Sequence, residues 1–358
     1  MRTKILCTLG PASLNSDVIR QLDERGVNLF RLNLSHTPVE KVSALIGFIR
    51  KHTAKPICLD TDGDQVRCGV VEDGVRLIKG DEIWLTPEAI VGNAKHLTLR
   101  PEAVFDALSP GDELGIDIGG VVVRIVEASS EGATAVAEEG GPVCSNRAVT
   151  LDKDPHLPPL TETDLEAVRI GRDLGVRHFA LSFARSRKDV ARLRRLGGPG
   201  SFIISKIESR AGVRNMDALI EASDAVLVDR GDLSRQIPLE YVPMYQKEII
   251  RRANSASTPA FVATNLLESM VVNRRPTIAE ANDIINTLLD GAHGLVLASE
   301  TTIGNNPVAS IEIVTRLIDA FEWSRGRRLI LKAHRQKPSG ADERLPSDDF
   351  QALDHLVL

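Results

Sequence analysis

The feature that most constrains this chain is a recurrence of eight short apolar or β-branched runs, each followed by a stretch with helical spacing. The runs are KILCTLG, VNLFRLNLS, PICLDT, HFALSF, FIISKIE, AVLVDRG, AFVATN and GLVLASE. Short apolar runs bounded by turn residues read as buried strands. The segments between them are amphipathic, as in residues 16–26, 165–175 and 277–291, and each of these three stops at glycine. Eight strand-then-helix units are the count of a (β/α)8 TIM barrel, whereas an open doubly wound sheet more often has about five to seven strands. One connection is too long for a helix. Between about residues 66 and 148 the text turns into short strands with turn signals, so an α/β fold with a small β-barrel domain inserted after the third strand is expected. The expected domains are residues 1–66 and 148–325 for the TIM barrel and 67–147 for the insertion, with 326–358 a C-terminal tail carrying one weak docking segment.

Composition then removes whole classes of function. Of the 358 residues, 42% are hydrophobic and 26% charged, which is an ordinary folded chain. Forty-four basic against forty-nine acidic residues, with 4% aromatics, supplies neither a phosphate-backbone footprint nor a base-stacking platform, so no nucleic acid is expected as partner. Cys7, Cys58, Cys68 and Cys144 form no C-x-x-C pair and read as reduced thiols. With no signal-peptide core and no run of about 18 apolar residues, the expectation is a cytoplasmic protein with no membrane partner.

Active sites of such barrels lie at the C-terminal ends of the strands. Those ends are polar here: Arg31, Asn33 and Ser35 on the second run, Asp60 and Thr61 on the third, Lys206 and Glu208 on the fifth, Arg230 and Asp232 on the sixth, Thr264 on the seventh and Glu300 on the eighth. Strand alternation puts Arg31, Asn33 and Ser35 on one side, and Lys206 with Glu208. Two carboxylates, Glu208 and Asp232, suit a hard cation such as Mg²⁺, and Arg31 with Lys206 suits a phosphoryl group or a developing enolate. The competing reading of one Lys-Glu pair is a plain ion-pair network.

The chain resembles pyruvate kinases. The matching stretches are KILCTLGPAS, RLNLSH, LDT followed by G and VR, SFARS, ISKIES, RGDL followed by IP, ATNLLESM, RPTIAEANDI and LDGAHGLVLASET, in family order from residue 4 to about 301. The resemblance implies Mg²⁺ or Mn²⁺ held by Glu208 and Asp232, and Lys206 and Arg31 against the transferred phosphoryl group. It implies K⁺ at Asn33, Ser35, Asp60 and Thr61, and Thr264 near the carbon protonated after transfer. The substrate carboxylate would meet backbone N–H groups around Gly231 and Asp232, with Arg230 alongside, a helix-start anion site. Pro11, His36 and Arg67 match the nucleotide side. The implied activity moves a phosphoryl group from phosphoenolpyruvate to ADP or another acceptor, giving pyruvate in glycolysis. The implied partners are these small molecules, ADP/ATP included, and a second copy in a homodimer. Pyruvate kinases usually continue into a further α/β domain with effector sites, and only the tail stands there in this sequence.

Departures concentrate on the nucleotide side. The family's LDTKGPEIRTG reads LDTDGDQVRCG, so lysine has become Asp62, proline Asp64 and glutamate Gln65. SHG reads Ser35-His36-Thr37, ARGDLG reads Asp229-Arg230-Gly231-Asp232-Leu233-Ser234, and SGET reads Ala298-Ser299-Glu300-Thr301. In the insertion, Arg147 replaces the usual lysine, and Asp117 alone remains of a double Asp. Two alternatives stay open beside phosphoryl transfer. One is a Mg²⁺-dependent pyruvate-enolate carbon-carbon lyase or aldolase-type enzyme, and the other is a non-catalytic metabolite-binding relative.

Overall fold

The computed structural model describes residues 2–63, 65–117, 120–153 and 157–335, with side chains to residue 325. All eight expected runs are strands, and they close into one parallel barrel in sequence order. The strands are Lys4–Thr8, Leu29–Asn33, Ile57–Asp60, His178–Leu181, Phe202–Ile207, Ala225–Asp229, Ala260–Ala263 and Gly294–Leu297. The first pairs with the last, which removes any open edge.

Strand alternation explains how both faces are buried. Leu6, Leu29, Cys58, Ala180, Ile204, Leu227, Phe261 and Val296 share one apolar cluster inside the ring. Residues of opposite parity, such as Leu59 and Phe179, face the helices and are also fully buried. A Cβ at Gly171 would come within 2.4 Å of Leu59 Cδ1, so glycine lets the helix Glu162–Asp173 approach the third strand closely. Fully burying a side chain of this size contributes about 1.5–3 kcal/mol.

After the third strand the chain enters a second closed barrel of seven strands with its own core, including Leu85, Leu97, Leu99, Ile125 and Val149. Its pairs are antiparallel except Glu82–Thr86 with His96–Arg100. The strand Val66–Cys68 pairs with Ala148–Leu151, so residues at the edges of the expected 67–147 insertion belong to this ladder. At its exit Asp164 accepts from the N–H groups of Asp62, Gly63 and Thr161 (2.8, 3.1 and 3.0 Å), and tethers the departing loop to the start of the next helix.

The described residues up to Ile318 form one compact unit, and those from Asp319 fall outside it. The last helix, Pro307–Arg335, runs beyond residue 325, and the remainder of the expected tail lies outside the described residues. Among the described residues no helix is long and apolar enough to cross a membrane.

Candidate active site

At the C-terminal end of the ring the inward positions change from apolar to charged within one pleat. Leu29, Cys58, Ile204 and Leu227 belong to the interior cluster. Two residues further along the same strands stand Arg31, Asp60, Lys206 and Asp229, all buried. The period of two that fills the barrel therefore also delivers its charges to one place.

These charges satisfy one another only in part. Arg31 Nε donates to Asp60 Oδ2 at 2.8 Å and its terminal nitrogen to Thr8 Oγ1 at 3.2 Å. Burial works against the Arg31 charge, but Asp60 and Asp229 outweigh it and hold the guanidinium above its ordinary pKa. Lys206 Nζ donates to Ser182 Oγ at 3.1 Å and lies 3.7 Å from Asp60, 3.1 Å from Glu208 and 3.7 Å from Asp229. Burial opposes its charge too, and the three carboxylates raise its pKa in spite of it.

Glu208 is fully buried. Its Oε1 accepts from the Phe183 N–H at 2.8 Å, while Oε2 has no hydrogen-bond partner despite the nearby ammonium. Burial pushes this carboxyl well above the usual range, and Lys206 only partly opposes that. Glu208, Asp229 and Asp232 present oxygen atoms within 4.8 Å of one another. Hard oxygen donors at this spacing, one of them buried and accepting no hydrogen bond, fit a divalent cation such as Mg²⁺, which takes one or two carboxylates and keeps places for water and substrate.

Two strained loop residues frame the cluster. Phe183, whose N–H serves Glu208, has φ +49°, and Thr264 has φ +74°. Non-glycine residues in this region cost on the order of 1–3 kcal/mol each and persist only where neighbours hold them. Thr264 is held twice: its hydroxyl donates to Asp229, and its carbonyl accepts from Arg230 Nε at 2.9 Å and from a second Arg230 nitrogen at 2.6 Å. The remaining Arg230 nitrogen donates to Asp283 at 2.6 Å. Arg230, expected beside the substrate, thus directs its guanidinium at the Thr264 loop.

The other expected residues divide into groups. The second strand ends at Asn33, and Ser35 lies in the 3-10 turn Leu34–His36, which breaks the expected one-sided row. Asn33 Oδ1 accepts from the Ser35 N–H at 3.0 Å, and Ser35 Oγ donates to Asp62 at 2.6 Å. The Thr61 carbonyl accepts from Ser182 Oγ at 2.6 Å, so the oxygens expected around K⁺ already have protein partners. The Gly231 N–H donates to Asp229 Oδ1 at 3.2 Å. Gln65 Nε2 donates to Asp232 Oδ1 at 3.1 Å. On the nucleotide side Pro11 is exposed and Arg67 Nε stands 3.7 Å from Asp62. Burial and then Arg67 lower the His36 pKa, against Asp62. Arg147 pairs with Asp117 at 3.3 Å, and Asp64 lies outside the described residues.

Residues 1–311 match the family described as pyruvate kinase, barrel domain. The chain belongs to the pyruvate kinase family. Pyruvate kinase from Bacillus licheniformis is 33% identical to it over 351 residues, covering 94% of this chain and 60% of the relative. The Agrobacterium vitis pyruvate kinase is 36% identical over 340 residues, covering 93% and 72%, and a human pyruvate kinase is 35% identical over 365 residues, covering 95% and 63%. The chain thus spans about two thirds of the length of these relatives.

Sequence reasoning passed over Asp229 and Ser182. Asp229 had a readable signal, since it follows the interior residue Leu227 by two on a strand. Ser182 had the same signal, two residues past the interior Ala180 in the run HFALSF, and its hydroxyl joins Lys206 to the Thr61 carbonyl. Glu300 proves structural, accepting from the N–H groups of Leu267 (3.0 Å) and Ala298 (2.9 Å) to tie the ends of the seventh and eighth strands.

Proposed function

We propose that this chain transfers a phosphoryl group from phosphoenolpyruvate to an acceptor, ADP or another, releasing pyruvate. The observation that carries the reading is the fully buried Glu208 Oε2, ion-paired with Lys206 but accepting no hydrogen bond, within a three-carboxylate cluster. Family membership and the matched substrate-side residues support it.

Glu208 and Asp232 would hold a divalent cation, Mg²⁺ or Mn²⁺, which when bound supplies charge neutralisation to the substrate's oxygens. Lys206 and Arg31 place fixed cations where negative charge develops as the phosphorus–enol oxygen bond breaks and the bond to the acceptor forms. Backbone N–H groups around Gly231 and Asp232 would orient the substrate carboxylate once it displaces Asp229 Oδ1 from the Gly231 N–H. The enolate carbon would then take a proton from water, which Thr264 Oγ1, its own hydroxyl proton donated to Asp229, would orient by accepting a hydrogen bond from it. K⁺ at Asn33, Ser35, Asp60 and Thr61 belongs to the same reading, and replacing K⁺ by tetramethylammonium would then lower turnover. Pro11, His36 and Arg67 would face a nucleotide. A homodimer is part of the proposal and is checked by light scattering against the 38.9 kDa chain.

Calorimetry of Mn²⁺ binding in the presence of oxalate tests the assignment. Glu208→Ala and Asp232→Ala should each weaken Mn²⁺ at least tenfold, and unchanged affinity in both would refute it.

A further inference from the structure

Beside the carboxylate cluster lies a cavity of about 270 Å³ between the inserted barrel and the ends of the TIM-barrel strands. Gln65 and Asp232 form part of its wall, whereas Pro11, His36 and Arg67 do not. Its charge is strongly unbalanced. Lys153, Arg185, Arg210, Arg214 and Arg235 line it against Asp152 and Asp232.

Three of those cations are incompletely satisfied, two for want of a carboxylate and one for want of a hydrogen-bond acceptor. Arg235 Nε is buried with no hydrogen-bond partner and meets Asp232 Oδ1 only as a long ion pair at 3.9 Å. Arg210 donates to two carbonyls, those of Gln236 and Asp152, which accept its N–H groups without neutralising its charge. Arg214 is exposed. Among the described residues no carboxylate lies within ion-pair distance of Arg210 or Arg214. Lys153, by contrast, is taken up by Asp112 at 2.6 Å. A buried guanidinium N–H left without an acceptor is costly, and an oxyanion is what guanidinium donors match best.

The geometry points to an anion subsite here that takes the phosphoryl group of a small phosphorylated molecule, or inorganic phosphate itself. The volume sits just under the usual range of about 300–1,000 Å³ for ligand clefts, which suits a small phosphorylated molecule. The subsite borrows from the phosphotransferase reading only its neighbour Asp232. Anion binding stands or falls without turnover.

The test is calorimetry in metal-free, low-salt buffer with inorganic phosphate and, separately, glycerol 2-phosphate as probes. Wild type should show a saturable site, with at least tenfold loss in Arg235→Gln and a smaller loss in Arg214→Gln. A tighter fit to glycerol 2-phosphate would make an ester the occupant, and equal affinity would make it the free anion. No saturable binding of either probe would overturn the proposal. So would unchanged affinity in Arg235→Gln, or a loss confined to Arg31→Gln, which would put the anion among Arg31 and Lys206. Mn²⁺ binding measured on the same Arg235→Gln protein should be retained, so the subsite and the metal assignment can fail separately.

Discussion

Lys206 Nζ stands 3.1 Å from Glu208 Oε2, two residues along the same segment, yet that buried oxygen accepts no hydrogen bond. The pair is electrostatically close and geometrically unsatisfied, so Glu208 keeps a lone pair for another cation. A ligand that binds only the folded state stabilises it by about 2.7 kcal/mol at a hundred times its dissociation constant. Saturating Mn²⁺ should therefore raise the melting temperature of the wild type by a few degrees. In Glu208→Gln the metal-free melting temperature should hold to within a few degrees while the Mn²⁺-induced rise disappears, as read by calorimetric scanning. A Glu208→Gln protein that Mn²⁺ stabilises as much as wild type would contradict the account.

Much of this site was legible because one rule, the strand period of two, governs both packing and chemistry. Leu29 with Arg31, Cys58 with Asp60 and Ile204 with Lys206 are readable as apolar-then-charged positions on one inward face. What escaped depends on directions that a strand period does not set. Arg230 sits where strand becomes helix, and its turn toward Thr264 O and Asp283 is decided by the left-handed backbone at Thr264. Ser35 was expected to continue the row from Arg31 and Asn33, but the chain enters a 3-10 turn at Leu34 and the period ends. Val66–Cys68 and Ala148–Leu151, short strands of the second barrel, straddle the expected edges of the insertion, where a strand of three or four residues leaves little pattern to read.

Asp62 bears on acceptor choice. Its carboxylate accepts from Ser35 Oγ and faces Arg67 Nε at 3.7 Å, so it offsets the arginine expected to meet a nucleotide. Asp62→Lys changes the local charge by two units. At about 6 Å and an effective dielectric near 20, each unit is worth on the order of 2–3 kcal/mol before screening. Even a residual of about 1.4 kcal/mol is tenfold in affinity. The variant should show an ADP Michaelis constant at least tenfold lower, with that for phosphoenolpyruvate little changed. An unaltered ADP Michaelis constant would mean that Asp62 does not face the acceptor.

The four thiols separate by burial. Cys7 is buried and its pKa is pushed up to about 12, and burial raises Cys58 and Cys68 as well. An acid whose pKa is raised on folding stays protonated at pH 8, and the thiol form is unreactive. Cys144 is exposed. A chromogenic disulfide reagent at pH 8 should titrate one thiol rapidly in the native protein and four after denaturation. Rapid reaction of a second thiol without unfolding would show that the barrel interior opens.

Phosphorus-31 NMR of phosphoenolpyruvate incubated with the protein, Mg²⁺ and either ADP or a panel of non-nucleotide acceptors tests the central claim most directly. The account predicts that the phosphoenolpyruvate resonance decays while a phosphorylated product and pyruvate appear, and that Lys206→Met slows this at least a hundredfold at saturating substrate. A phosphoenolpyruvate resonance that persists with every acceptor, in protein that binds Mn²⁺ and oxalate normally, would contradict it.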